Sequence, residues 1–474
     1  MRRLRPGPVA ALGLLMLATT TPLPGRAAVI PAPVPRAVCG PGSIPESGVQ
    51  GRVTAADLAR GTGSRCNLES IGHAGTLAGF RVHRYIDAAG HECGFYDSTL
   101  YTQTRPEKAL LNLDLTGVHV LDMKDPANPK STVDLRTPAM SAPHESLSLH
   151  AGRGLLAANQ GNLATSIGFV DVYDVKTDCR HPKLLSTLPI GMLGHEGNFS
   201  PDGMTYWVAS PIGAYGERDR GTLTAIDMTN PVVPRILWTS LDYAPHGVTL
   251  SPDGNTLYIA HLGPSRGLMV LDVSDVQARK LPPNVRRISH LTWDTVSLPQ
   301  IAFPVTIKGR PYLVEVDEFT HDTISNFFTN KPFSRPEDHV GAARIIDIAD
   351  PAKPRVVSDI RLAVNQPEAR AGDQANDPGA DTATGYTAHY CSVPKAVDPG
   401  ILACSFILSG LRLFDIRDPF HPREIAYFNP PTTSGQPYDA MSAPAWVPER
   451  NEIWYTDVNY GFFALRVTNG VWPH

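Results

Sequence analysis

Three histidines recur at a fixed interval. His144, His195 and His246 stand 51 residues apart, and an alanine follows each one 14 positions later, at Ala158, Ala209 and Ala260. His389, in TAHYCSVP, shares the context with one residue of slippage before the next apolar run. Neutral imidazole is a good ligand for Zn, Cu, Fe and Ni, and several rings converging on one point form a site with a position left for water or substrate. The ends of the following apolar runs extend the set with Asn159, Ser210, His261, Asp317, Glu318 and Asp457, and His321 lies close behind. The expected metal ligands are therefore His144, His195, His246, His261 and His389, with Glu318 or His321 completing the site or handling protons. Glu145 and Glu196 directly follow two of the histidines; in a regular strand they point elsewhere, although either can orient a neighbouring ring. A structural role competes, because a repeated histidine also serves to bond a neighbouring unit's backbone and spare a buried polar group a penalty of about 1–3 kcal/mol.

These residues need a frame that brings distant segments together, and the chain carries one. An apolar strand ending in aspartate recurs as VHVLD (Asp122), VDVYD (Asp174), LTAID (Asp227), LMVLD (Asp272), ARIID (Asp347) and LRLFD (Asp415), and FFALR places Arg466 at the same position. Spacings of 52, 53, 45, 75, 68 and 51 residues suit one four-stranded unit each, with extra length near residues 279–340 and 362–385. Turns with two prolines follow several copies, as DPANP at Asp125, NPVVP at Asn230, DPAKP at Asp350 and DPFHP at Asp418, and SPDG turns precede others at Ser200 and Ser251. Proline fixes its own φ and cannot donate to a ladder, so such segments end one strand and launch the next. Radially repeated four-stranded units make an all-β, seven-bladed β-propeller, its ring closed by an N-terminal strand from residues 66–86. In that fold the strand beginning at each histidine is innermost, and its start faces the mouth of the central channel. The repeated aspartates are expected to cap the turns that follow them.

The aspartate-ending strands LRLFD and LMVLD resemble those of the LVIVD-repeat family of exported propeller proteins, over roughly residues 67 to 470. The resemblance implies the propeller and its export. By architecture alone, the histidine-lined face also resembles seven-bladed enzymes that hold iron or copper through histidines from several blades.

Residues 1–28 read as a signal peptide, with Arg2, Arg3 and Arg5 before an apolar run from Val9 to Leu17 and small residues at Gly25 and Ala27. Residues 29–65, rich in Pro, Gly and Ala, form an expected leader over the surface, and 66–474 the propeller. No apolar window is long enough for a transmembrane anchor. Loss of Arg2, Arg3, Arg5 and Arg26 takes the formal net charge from −4 to −8, which argues against nucleic-acid binding. Six cysteines in an exported chain predict up to three disulfides, with Cys391 and Cys404 the best pair, and no CxxC suggests a thiolate metal site. The chain lacks GxSxG, P-loop, Rossmann and HExxH signatures. The expectation is a secreted or cell-envelope monomer whose histidine-lined mouth binds Cu, Zn, Fe or Mn, or a small ligand. If it is an enzyme, the reaction is oxidation or metal-assisted hydrolysis of a small molecule. The competing expectation is a non-catalytic scaffold for a protein or a cell-envelope glycan.

Overall fold

A computed structural model describes residues 29–98, 116–160, 168–192, 194–211, 221–263, 265–320, 339–371, 377, 384–432 and 437–473. The segment 1–28, expected to be a signal peptide, lies outside the described residues.

The strands fall into seven antiparallel sheets, the blades of a β-propeller, numbered here in chain order. Blade 1 comprises Val82–Ile86, Glu92–Ser98, Gly117–Asp122 and Lys130–Leu135; blade 2 comprises Ser148–His150, Leu155–Asn159, Phe169–Asp174 and Lys183–Pro189. Blade 3 runs through Glu196–Phe199, Thr205–Ser210, Thr222–Asp227 and Arg235–Ser240, and blade 4 through Pro245–Leu250, Thr256–His261, Gly267–Asp272 and Arg286–Leu291. In blade 5 the strands are Leu298–Ile307, Arg310–Glu318, Ala343–Asp347 and Arg355–Ile360; in blade 6 they are Ala388–Ser392, Ile401–Phe406, Gly410–Asp415 and Arg423–Asn429. Blade 7 has Ala445–Val447, Glu452–Asp457 and Gly461–Val467, with Leu68–Ala74 paired to the last of these as its outer strand. Part of the extra length near 279–340 is spent on blade structure: the outer strand of blade 4 and the two long inner strands of blade 5, of 10 and 9 residues.

The punctuation acts as its chemistry predicts. All six repeated aspartates accept a hydrogen bond from the backbone N–H two residues on, at Lys124, Lys176, Thr229, Ser274, Ala349 and Arg417, over 2.8–3.1 Å. The SPDG turns close through Gly203 and Gly254, whose N–H groups each donate to the serine carbonyl at 2.8 Å and whose φ values of 68° and 74° suit glycine. Neighbouring blades cover both faces of each sheet, so several inner strands are buried along their whole length, as in TYWVAS of blade 3 and EIWYTD of blade 7. Leu155, Ala157, Val170 and Val172 of blade 2, for example, pack against Tyr206, Val208 and Ile226 of blade 3.

The segment expected as a leader is seated firmly. Ser64–Cys66 adds a fifth strand to blade 6, Val34 and Val53 are buried, and Cys39 is bonded to Cys66. Cys93–Cys179 joins blade 1 to the turn before the outer strand of blade 2, and Cys391–Cys404 links directly opposed residues of one hairpin. No cysteine is left to bind metal. Among the described residues, no helix is long and apolar enough to cross a membrane.

Candidate metal centre

The starts of the innermost strands converge. Parallel bridges between Glu145 and Glu196 and between Arg81 and Ala443 tie first strands of adjacent blades together around the axis. That geometry brings His144, His195, His246 and His389 into one group, with ring centroids 4.5 Å apart for His144 and His195 and 4.7 Å for His195 and His246.

Five side chains close a circuit of donor atoms. His195 Nε2 lies 2.8 Å from His246 Nε2, which is 3.4 Å from Glu318 Oε1. Glu318 Oε2 is 3.1 Å from His389 Nε2, which is 3.2 Å from Glu145 Oε1. Glu145 Oε2 returns to His195 Nε2 at 3.1 Å. Bonds of about 2.1 Å to a tetrahedral or octahedral ion place adjacent donors about 3.0–3.4 Å apart, a range that holds four of the five separations, while His195 and His246 stand at a hydrogen-bond distance. His144 stands just outside, its Nε2 4.0 Å from Glu145 Oε1.

Backbone carbonyls set the tautomers. His246 Nδ1 is 2.7 Å from the Pro299 carbonyl and His389 Nδ1 2.7 Å from the Met441 carbonyl, each on the next blade. A carbonyl only accepts, so both Nδ1 atoms carry hydrogen and both Nε2 atoms turn to the centre, the arrangement of a metal-ligating histidine with an outer partner. Each ring thus anchors to the next blade's backbone through one nitrogen and turns the other to the centre.

The buried carboxylates and rings shift one another's charge. Burial works against a charged His389, yet its bonds to the Glu145 and Glu318 carboxylates outweigh that and push it up to about 10. Glu145 sits well below the usual carboxylate range, because the surrounding histidines, His195 foremost, overcome the opposing effect of burial. His144 is pushed down to about 3 by burial and by the neighbouring His195. Burial also lowers His246. His246 and His389 are 1% exposed, against 15% and 14% for the side chains of His144 and His195, so access is from the His144–His195 side.

Glu145 belongs to the centre because the chain there is not a regular strand. His144 has φ of 52°, in the left-handed region, and the strand begins only at Ser148, so alternation fails and His144 and Glu145 both face the axis. The positive φ at Phe319, 50°, likewise turns the chain directly after Glu318. In blade 4 the residue after the histidine must be glycine: a Cβ on Gly247 would lie 2.0 Å from Glu196 Oε2 and 2.2 Å from the Gln300 carbonyl oxygen.

Other candidates go elsewhere. The His261 ring hydrogen-bonds the Ser265 carbonyl at 3.0 Å and meets His290 edge-on, a position within its own blade. His321 lies outside the described residues. Asn159 donates to the Glu196 carbonyl, and Asp317 accepts from Trp293, Ser297 and Arg344, so both serve as struts. His91 bonds Asp87 at 2.8 Å beside Asp178, but Asp87 also accepts from the Ala89, His91 and Cys179 N–H groups and acts as a clasp for the disulfide loop.

Beside the centre, Asp439 is buried two residues before Met441, and its N–H donates to Asp457 at 2.9 Å. Burial, reinforced by Asp457, pushes its carboxyl up to about 8. The folded state then keeps a proton that the unfolded chain releases near pH 4, so this group's contribution to stability is complete below that pH and is lost as pH rises through about 8. Thermal unfolding of Asp439→Asn should therefore fall less than wild type between about pH 6 and pH 9; parallel curves would refute this assignment.

No protein-family model and no curated protein sequence matches the chain. Solved structures with a similar course include Kuenenia stuttgartiensis hydrazine synthase, 16% identical, covering 83% of this chain and 97% of that one at a TM-score of 0.48. The β-propeller domain of Cps50 (Swd1) from Myceliophteria thermophila is 11% identical, with coverages of 84% and 99% and a TM-score of 0.48. Saccharomyces cerevisiae Sqt1 is 9% identical, with coverages of 69% and 72% and a TM-score of 0.41. At these identities no activity passes from them to this chain.

Proposed function

We propose that this chain is an exported, LVIVD-type propeller that binds one divalent transition metal at its channel mouth and uses it on a small molecule. His195, His246, His389, Glu145 and Glu318 would hold the ion, with His144 at the open side next to the substrate. The closed circuit of five donors carries this reading. Charge supports it: Glu196 pairs with Arg81 at 2.8 Å, and the buried Glu145 and Glu318, which share the charged His389 between them, would match a divalent ion that took the place of its proton. The donor set contains nitrogen and oxygen but no sulfur, which suits Fe, Mn, Zn or Cu(II) and disfavours Cu(I). Such an ion, when bound, supplies Lewis acidity or electron transfer to a substrate on the exposed side. His389 and His246 are oriented through their Nδ1–H groups, and burial keeps bulk water from that half of the site. Three disulfides fit an oxidising, extracytoplasmic compartment.

Metal analysis of protein purified without a histidine tag should find about one equivalent per chain, and the His195→Ala/His246→Ala variant should lose it. A wild-type protein that stays metal-free after reconstitution with Cu, Zn, Fe and Mn would overturn the reading.

A further inference from the structure

Arg81 enters the channel from blade 1, which like blade 7 supplies no donor to the circuit. Its backbone approach is tightly held: the N–H groups of Phe80 and Arg81 both donate to Asp97 Oδ1, at 2.9 and 2.8 Å. Gly79 makes this possible, since a Cβ there would lie 1.9 Å from Asp97 Oδ2. Phe80 packs its ring on His144 and His389, with centroids 4.7 and 5.2 Å away.

The guanidinium then reaches three other blades. Nε donates to the Glu145 carbonyl at 2.9 Å, and Nη2 donates to Glu196 Oε1 at 2.8 Å and to the Tyr390 hydroxyl at 3.3 Å. Its plane lies 4.2 Å from the Tyr390 ring centroid. Each partner is contiguous with a donor: Glu145 is one itself, Glu196 follows His195, and Tyr390 follows His389. Arg81 is 8% exposed and all three partners are buried.

We propose that Arg81 is the positioning residue of the metal centre. Donors on separate blades share no ladder beyond the single bridge between Glu145 and Glu196, and one planar, permanently charged fork adds to it by bonding the backbone or side chain beside three of them. Phe80 and Arg81 thus act together, one against the faces of the rings and the other against the chain that carries them. Arg81 also neutralises Glu196, so the charge facing the ion is that of Glu145 and Glu318 alone.

This inference rests on the metal reading, and the experiment separates the two. Wild type and Arg81→Lys are each titrated with Co(II), with absorption spectra and affinity recorded alongside thermal unfolding. Lysine keeps the charge but cannot make the fork. A loss of about tenfold or more in affinity and a changed Co(II) ligand-field spectrum, with cooperative unfolding retained, are expected, in line with outer-partner substitutions at metal sites. An Arg81→Lys protein with wild-type spectrum and affinity overturns the positioning role while leaving the metal centre standing; failure of wild type to bind any metal removes both. If Arg81→Lys does not fold, Glu196→Ala decides: it takes from Nη2 its carboxylate partner while leaving every donor of the circuit in place, and it should shift the spectrum, whereas an unchanged spectrum overturns the proposal.

Discussion

Replacing Glu145 with glutamine should abolish metal binding, with affinity falling by about 100-fold or more and bound metal dropping from about one equivalent to background. Glu145 approaches all four histidines of the group: it lies 3.1 Å from His195, 3.2 Å from His389, 3.9 Å from His246 and 4.0 Å from His144. Glutamine preserves shape but removes one of the two charges that balance the ion, and its amide nitrogen presents hydrogen to donors that need a cation. The measurement is metal content together with the stabilisation that metal confers. A ligand bound only by the folded state raises stability by about 2.7 kcal/mol at 100 times its Kd, so wild type should gain several degrees in Tm on metal addition and Glu145→Gln none. A variant that keeps full stoichiometry and the same thermal gain would remove Glu145 from the centre.

The largest expected loss of stability lies far from the mouth, in blade 6. Arg412 is fully buried, bonded to Glu46 Oε2 at 2.8 Å and Glu424 Oε1 at 2.9 Å and stacked 4.4 Å from the Tyr427 ring centroid. Removing one partner of a buried ion pair leaves the others uncompensated, at a cost of about 3–5 kcal/mol. Here two carboxylates are left. Glu46 also accepts from the Gly51 N–H and Arg36, and Glu424 from the Ala37 N–H and Gln50, so the N-terminal segment is fixed through the same charges. Arg412→Ala should lower the free energy of unfolding by that amount in denaturant titrations and expose residues 29–62 to proteolysis, with the Cys39–Cys66 disulfide still tethering the fragment. A loss below about 1 kcal/mol, with unchanged protease resistance, would show the network to be dispensable.

Reading the site from spacing succeeds where symmetry applies. His195, His246 and His389 occupy equivalent starts of inner strands, and a radial repeat must bring equivalent positions to one face. Strand ends were legible for the same reason, and Glu318 follows from that rule. His261 satisfies the rule yet turns to Ser265, because a side chain at a strand end chooses among local partners that spacing does not reveal. A regular strand would point Glu145 away from the axis. The left-handed backbone at His144 breaks that premise, and no residue type beside it signals a positive φ there. Arg81 had no signal, since its blade carries no histidine at that position and its partners lie 64, 115 and 309 residues away.

Each blade is legible in the chain because its unit of about 50 residues hydrogen-bonds its own caps, turns and ladders, so aspartate caps, SPDG turns and apolar strands are written locally and repeat visibly. The centre has no such local record. The circuit joins blades 2, 3, 4, 5 and 6 across the axis, and contacts of that kind obey the geometry of the closed ring and the backbone at individual residues, neither of which has a period along the chain.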